Sequence, residues 1–154
     1  MKKLTALGFY LFVPLLVGVL GSIFTSPAIP TWYASLNKPF FNPPSWLFAP
    51  VWTILYLMMG YAAYLVSQSK SKLKATALKY FWLQLTANFF WSLIFFGLRH
   101  PTLAFLEIII LWVLIYKTKL EFLKISKLAG YLLIPYLLWV SFATLLNLSI
   151  VLLN

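Results

Sequence analysis

The chain has 154 residues, of which 63% are hydrophobic and only 9% are charged. Soluble domains carry about 25% charged residues, so composition excludes a soluble globular domain. The absence of cysteine excludes disulfides, thiolate metal sites and cysteine nucleophiles. The formal net charge is +10, but the cations lie between hydrophobic runs, so membrane orientation explains them better than nucleic-acid binding.

Five hydrophobic runs predict five membrane-spanning helices, because a helix needs about 20 apolar residues to cross a bilayer. The predicted fold is an all-α integral membrane protein: a single bundle of five transmembrane helices, with a proline-rich loop between helices 1 and 2. The predicted helices cover residues 4–24, 46–66, 78–98, 102–120 and 128–152 of the single domain 1–154.

The first run also has features of a secretory signal peptide, since two lysines precede it and small residues follow it. Its apolar part is longer than the roughly 7–15 residues typical of such signals, and further hydrophobic runs follow. We therefore predict that the first run is retained as a transmembrane helix.

The link over residues 25–45 contains five prolines, at positions 27, 30, 39, 43 and 44. Proline fixes φ and stops helix propagation, so we expect a stiff, non-helical segment, with Ser45 capping the second helix. The link at residues 99–101 is much shorter, so the third and fourth helices are predicted to be antiparallel neighbours.

The distribution of basic residues predicts the orientation in the membrane. Ten lysines fall on one side of the predicted bundle, and only Lys38 and Arg99 fall on the other. By the positive-inside rule the N-terminus is cytoplasmic, and the proline-rich link and the C-terminus face outward. The ten are Lys2, Lys3, Lys70, Lys72, Lys74, Lys79, Lys117, Lys119, Lys124 and Lys127.

Three amides lie within hydrophobic runs, and lipid exposure would be costly for each of them, so they should face the bundle interior. They are Gln84, Asn88 and Asn147. Helical spacing places Trp91 on the face of Asn88 and Trp139 on the face of Asn147. Trp52 and Tyr56 share a face of the second helix at a similar predicted depth. Two interpretations stay open: core packing with interhelical hydrogen bonds, or an aromatic pocket under a proline-rich lid.

Other polar and small residues have structural interpretations. Glu107, the only acid within a predicted span, is expected to pair with Arg99 or to reach the interface. His100 is expected to be solvated, with a role as a lone haem ligand as the alternative. Small residues at positions 18, 21 and 22 suit either a dimer interface or internal packing. The chain has no carboxylate pair, metal-ligand cluster, phosphate loop or catalytic triad, which argues against a hydrolase or transferase.

At this point the sequence resembles a known family: the tryptophan-rich sensory proteins of bacteria and the mitochondrial translocator protein, or peripheral benzodiazepine receptor. The resemblance covers essentially the whole chain and implies a bacterial member, in the bacterial cell membrane. The motifs that carry it are Trp32-Tyr33, Lys38-Pro39, Pro43-Pro44, Ala49-Pro50-Val51-Trp52, Leu55-Tyr56, Met59-Gly60-Tyr61, Gln84, Asn88, Trp91-Ser92, Pro135-Tyr136, Trp139, Phe142-Ala143-Thr144 and Leu146-Asn147.

The resemblance implies a homodimer that binds protoporphyrin IX, haem and synthetic isoquinoline carboxamide or benzodiazepine-type ligands. It also implies light- and oxygen-dependent breakdown of protoporphyrin IX that depends on Trp52 and Trp139. No cofactor is required, since the porphyrin is ligand or substrate. The residues implied to bind the ligand are Tyr33, Pro43, Tyr56, Asn88, Trp91, Phe142, Ala143 and Leu146. Lys38 or Arg99, near the outer rim, is expected to attract the porphyrin carboxylates.

One departure limits the resemblance. Mitochondrial members end in a motif with tyrosine and arginine that is proposed to contact cholesterol, whereas residues 147–154 contain neither, so cholesterol binding is not carried over. The leading hypothesis is a porphyrin-binding membrane protein that takes part in tetrapyrrole or oxidative-stress sensing and in porphyrin breakdown. The alternatives are a tetrapyrrole transporter or exporter, which the lack of an internal repeat disfavours, and a ligand-controlled regulatory scaffold.

Overall fold

Long hydrophobic runs separated by short polar links fold into helices throughout the chain. The computed structural model describes residues 2–154 and contains no strand within them. Three of its helical segments are long and apolar enough to cross a membrane: Lys3–Tyr33, Ser45–Ser67 and Lys127–Leu153. The α-helices are α1 (Lys3–Ala28), α2 (Phe48–Ser67), α3 (Lys74–Ser92), α4 (Pro101–Leu123), α5 (Lys127–Leu132) and α6 (Ile134–Leu153).

The helices pack as a closed ring. Helix α1 contacts α2 and α3, α3 runs along α4, α4 contacts α5 and α6, and α5 and α6 contact α2. Helices α5 and α6 follow each other with only Leu133 between them and act as one rod. Pro135, in the first turn of α6, has no N–H to continue the hydrogen-bond ladder across that junction. The packing of α3 against α4 confirms that the two helices joined by the tight link are neighbours.

The first helix extends further than the sequence predicts. Pro27 lies inside α1, and a π-helical turn, Ile29–Tyr33, continues the helix beyond it. The Thr31 hydroxyl donates to the Pro27 carbonyl at 2.7 Å. This hydroxyl bond and the widened turn keep backbone groups of the segment paired, and the helix continues past Pro27 and Pro30.

The non-helical link is therefore confined to residues 36–44, a segment that we call the cover. A short 3₁₀ turn, Ser45–Leu47, leads from the cover into α2. The prediction that Ser45 caps the second helix is wrong, because no side chain caps either this turn or α2. The 3₁₀ turn tightens the helix start instead.

The link between α3 and α4 has a distinct geometry. Helix α3 continues through a second π-helical turn, Leu93–Gly97, and the chain then reverses at Arg99, whose φ of 52° is left-handed. The His100 Nδ1 accepts a hydrogen bond from the Leu103 N–H at 3.1 Å and caps α4. His100 is exposed, as expected of a solvated side chain, and it also caps α4.

Glu107 also differs from its expected role. Its Oε2 atom is buried and has no hydrogen-bond partner among residues 2–154, and no ion pair joins Glu107 to Arg99 there, although the residue is partly exposed. The ion pair that the structure contains joins Lys124 and Glu121, one turn apart at the end of α4.

Two groups of buried side chains fill the ring. The larger one lies between α2, α3, α4 and α6 and includes Met59, Phe81, Ile115 and Tyr136, each fully buried. The smaller one lies toward the cover and is built from Ala28, Tyr33, Phe95, Phe96, Ala104, Leu146 and Ile150. The space between the two groups is not filled, and it forms the cavity described next.

Candidate functional site

An aromatic cavity of about 310 Å³ lies inside the helix ring, toward the cover. Its volume is at the lower end of the roughly 300–1,000 Å³ that ligand pockets occupy. Residues of four helices line it, from α1, α2, α3 with its π-helical extension, and α6. The lining is mainly aromatic and aliphatic, with scattered hydroxyls and the single amide of Asn147.

Three tryptophans from three different helices face this one cavity: Trp52, Trp91 and Trp139. Trp52 packs on Tyr56, with ring centroids 5.6 Å apart, and edge-on against Tyr136. Trp139 packs on Phe142 at 5.5 Å. Trp91 packs on Phe95 at 5.3 Å. Each indole is thus held by a neighbouring aromatic ring.

A chain of buried hydrogen bonds lies beneath the cavity and starts at the lining residue Tyr56. The Tyr56 hydroxyl donates to Asn88 Oδ1 at 2.6 Å, and Asn88 Nδ2 donates to the Tyr136 hydroxyl at 2.8 Å. Tyr136 in turn donates to Gln84 Oε1 at 2.8 Å, and Gln84 Nε2 contacts the sulfur of Met59 at 3.7 Å. Because these bonds join α2, α3 and α6, they fix the relative positions of the helices that carry the indoles.

A second amide fixes the wall formed by α3 and α6. Trp91 Nε1 donates to Asn147 Oδ1 at 3.1 Å, and Asn147 Nδ2 donates to the Pro101 carbonyl at 2.9 Å. Asn147 therefore links α6 to α3 and to the start of α4. Gln84, Asn88 and Asn147 are at most 2% exposed, which confirms that all three amides face inward.

The structure brings most of the predicted site residues together around the cavity. Pro43 and Asn88 are the exceptions: Pro43 belongs to the cover, and Asn88 lies one layer below, bonded to Tyr56. Those that line the cavity are Tyr33, Trp52, Tyr56, Trp91, Trp139, Phe142, Ala143 and Leu146.

The wall contributed by α1 is the part that sequence reasoning missed. Small residues at 18, 21, 22, 25 and 26 line the cavity from this side. The Tyr56 ring lies directly over Gly18, and a side chain there would collide with it. The small residues thus serve internal packing and leave space for the cavity. Their spacing of three and four was the available signal, because it places them on one helix face.

The cover does not itself line the cavity. None of residues 36–44 is among the lining residues. The lining residue Tyr33 packs on Phe48, and its hydroxyl donates to Asn42 of the cover. Phe41 packs on Phe142 at 6.1 Å, so the cover forms a second layer outside the lining residues.

The two cations expected to attract porphyrin carboxylates do not line the cavity either. Lys38 Nζ donates to the carbonyls of Tyr33, Ala34 and Leu36 at 2.8–3.2 Å, so it caps the end of the first helical segment. Arg99 is exposed in the link between α3 and α4. The expected charge pairing at the cavity therefore has no support in the geometry.

Comparison with known proteins places the chain in a family. The model of the TspO/MBR family matches residues 10–153. The chain belongs to the TspO/MBR family. It is 44% identical to the tryptophan-rich protein TspO of Archaeoglobus fulgidus, covering 91% of each chain. It is 43% identical to that of Chlorobaculum tepidum, covering 99% of this chain and 98% of the relative.

A human relative is similar as well. The chain is 38% identical to the translocator protein of Homo sapiens, over 92% of this chain and 85% of the relative. Family membership and the three long apolar helices together identify an integral membrane protein. Among residues 2–154, no group of three or more His, Cys, Asp or Glu side chains is placed to hold a metal ion.

Proposed function

We propose that this membrane protein binds a flat tetrapyrrole of the protoporphyrin IX class in its aromatic cavity. The observation that carries the proposal is the convergence of Trp52, Trp91 and Trp139 on one apolar cavity of about 310 Å³. Indole faces stack on flat π-systems, and such contacts contribute beyond the apolar area that they bury. The fixed hydrogen bonds behind the indoles hold them in place before a ligand binds, which lowers the cost of ordering them.

The lining favours a metal-free porphyrin over haem. Haem iron takes an axial His, Cys, Met or Tyr ligand, and the lining includes no His, Cys or Met. Its two tyrosines, Tyr33 and Tyr56, already donate their hydroxyls to Asn42 and Asn88. Protoporphyrin IX needs no such ligand, so aromatic walls alone suit it.

In this proposal α1, α2, α3, α4 and the continuous pair α5–α6 all cross the bilayer. The cover and the cavity lie toward the outer face. The distribution of lysines supports that orientation, since ten of them lie at the start of α1, around the link between α2 and α3, and around the link between α4 and α5. A homodimer, as the resemblance implies, belongs to the same proposal and is tested by the mass of the purified protein in detergent.

Trp52 and Trp139 are proposed as the residues that act on the bound pigment. The porphyrin would supply light absorption and the excited state. The protein would supply two indoles in contact with the macrocycle, each packed on further aromatic rings. Molecular oxygen would be the oxidant, as the resemblance implies, and indoles are readily oxidised, so these two residues are expected to determine whether illumination in oxygen degrades the porphyrin.

Quenching of intrinsic fluorescence by protoporphyrin IX in detergent tests the binding. Replacing Trp52 or Trp139 with Phe should weaken binding by about fivefold each, which corresponds to ~1 kcal/mol of lost aromatic contact. The matched control is Trp46→Phe, because Trp46 is 72% exposed and lies outside the cavity. Equal affinity in the two cavity variants and the control would contradict the proposed site.

Illumination of the same complexes tests the chemistry. Loss of the porphyrin absorption should be rapid in the parent and in Trp46→Phe, and should slow strongly in Trp52→Phe and Trp139→Phe at saturating porphyrin. Loss at the parental rate in both cavity variants would remove their proposed role. Uptake of intact porphyrin into sealed liposomes would favour a transporter, and displacement by an isoquinoline carboxamide would locate that ligand class in the same cavity.

A further inference from the structure

The cavity has one side on which its lining residues are exposed. Most lining residues are buried or partly buried, but six are exposed on the outside of the bundle. All six lie on two neighbouring elements, α1 and the start of α2, and we call the space between them the α1–α2 gap. They are Val19, Ser22 and Ser26 on α1, and Ser45, Ala49 and Thr53 on the turn and helix of α2.

Helices α1 and α2 are in tight contact below this gap. At Gly60, an added Cβ would collide with the backbone carbonyl of Tyr10, and at Gly18 it would collide with the Tyr56 ring. The two helices therefore touch closely in the half of the bundle that contains the N-terminus of α1. Toward the cover, residues of both helices line the cavity instead, so the helices stand apart there.

The gap faces the part of the surface that is apolar. Around it, Val19 is 60% exposed, Ile23 62% and Ile54 57%. In an integral membrane protein, such side chains meet lipid rather than water. Two hydroxyls at the gap are already bonded within their own helices, Ser22 to the Val19 carbonyl and Thr53 to the Ala49 carbonyl. Two of the four hydroxyls at the gap are therefore paired before they meet hydrocarbon, and the other two are those of Ser26 and Ser45.

On the route toward the cover, two layers of side chains lie one outside the other. The rings of Tyr33, Phe48 and Phe142 lie at that end of the cavity, with the cover outside them. Residue 37 of the cover is fastened to the end of α6, because the Asn37 N–H donates to Asn154 Oδ1 at 3.0 Å and Asn154 Nδ2 donates to the Asn37 carbonyl at 2.9 Å.

We infer that ligands reach the cavity sideways from the hydrocarbon layer, through the α1–α2 gap, rather than from water through the cover. The inference rests on the proposed role of the cavity as a ligand site and adds the source of the ligand. The ligand class that fits is flat, apolar and dissolved in the bilayer, and its polar groups remain near the outer interface. A strictly water-soluble ligand would have no route of this kind.

A single thiol inside the cavity tests the route without depending on porphyrin. The chain has no cysteine, so Ala143→Cys places one thiol on the cavity wall. The protein is reconstituted in liposomes and labelled with a neutral, lipid-soluble pyrene maleimide. In this background, Thr53→Trp fills the gap from α2, and Ser22→Phe fills it from α1. Both positions are exposed at the surface, and circular dichroism with gel filtration verifies folding.

Each of the two filling substitutions should slow labelling by about tenfold or more. The matched control is Ile54→Trp, at the next position of α2, which is exposed but does not line the cavity. It should leave the rate unchanged, and so should Asn154→Ala, which removes two of the hydrogen bonds that fasten the cover to the end of α6. The route is overturned if Asn154→Ala speeds labelling while Thr53→Trp and Ser22→Phe leave the rate unchanged, or if the folded parent is not labelled although the denatured protein is.

The same variants separate this inference from the proposed function. Porphyrin preloaded into the vesicles should quench the protein more slowly in Thr53→Trp than in Ile54→Trp. The protein could show labelling that depends on the gap and yet fail to bind protoporphyrin IX. That result would contradict the proposed ligand and support the route. Porphyrin binding at an unchanged rate in both filling variants would keep the ligand and remove the route.

Discussion

Tyr136 is the residue on which the buried hydrogen bonds of the bundle converge. Its hydroxyl accepts from Asn88 and donates to Gln84, and the side chain is fully buried. The sequence indicated that the two amides face inward, but not that one tyrosine would serve both. Tyrosine is common both in cores and at membrane interfaces, so its residue type alone does not reveal this position.

Replacing Tyr136 with Phe should destabilise the protein. The change leaves Asn88 Nδ2 and Gln84 Oε1 without their partner in the core, and an unsatisfied buried polar group costs about 1–3 kcal/mol. Thermal unfolding in detergent, followed by circular dichroism, measures the loss. The control is Tyr131→Phe on α5, where the side chain is 56% exposed and a change of less than about 0.5 kcal/mol is expected. Equal midpoints for the two variants would show that the network contributes little stability.

At the scale of the helices, the contact between α1 and α2 depends on the absence of a side chain at Gly60. An added Cβ would meet the Tyr10 backbone, which cannot move aside as the end of a flexible side chain can. Small residues of this kind let membrane helices approach closely. Helices α1 and α2 touch at this contact, and the gap lies between the contact and the cover.

Gly60→Ala should therefore force the two helices apart and destabilise the bundle, by about 1–3 kcal/mol as for other overpacked sites. Gly8→Ala is the matched control, because Gly8 is also in a helix and an added Cβ there meets nothing within 4 Å. It should stabilise slightly, by roughly 0.5–1 kcal/mol, through the higher helix propensity of alanine. Unfolding of both variants in mixed detergent micelles gives the two free energies. Similar values of the same sign would contradict the close contact.

At the same scale, helix ends were predicted less well than helix centres. Hydropathy located all five helical runs, but the rule that proline ends helices placed the end of the first one at residue 24. Helix α1 instead continues past Pro27 through a π-helical turn. Local propensity could not predict this, because the widened turn and the bond from the Thr31 hydroxyl to the Pro27 carbonyl arise only in the folded segment.

For the whole molecule, the cavity was predictable in part. Tryptophans and amides can be recognised in the sequence by their residue type and spacing, so the walls from α2, α3 and α6 were expected. Most of the predicted residues do line the cavity. The α1 wall has small side chains without distinctive chemistry, and its role depends on which helix lies opposite. The position of the cover likewise depends on tertiary contacts, such as that between Phe41 and Phe142.

The fastening of the cover to α6 gives a prediction at this scale. Asn154→Ala removes the acceptor of the Asn37 N–H and a donor to the Asn37 carbonyl. Hydrogen exchange at residues 36–44 should then accelerate, because local opening no longer breaks these bonds. Ser149→Ala is the control, since the Ser149 hydroxyl bonds only within α6, to the Leu145 carbonyl. Unchanged exchange at Asn37 in the Asn154 variant would show that the cover is held by other contacts.

The two hydrogen bonds of Asn147 hold one side of the cavity more firmly than the other. Through them, Trp91 and the start of α4 are fixed to α6. On the opposite side, the hydroxyls of Ser22 and Thr25 bond only within α1. These two side chains therefore form no hydrogen bond to a neighbouring helix. When a ligand stacks on the fixed side, the protein loses little conformational entropy there, because its side chains are already ordered. A thicker ligand is therefore accommodated by movement of α1. Ligands of different shape should therefore share one stacking surface and differ in how far they displace the first helix.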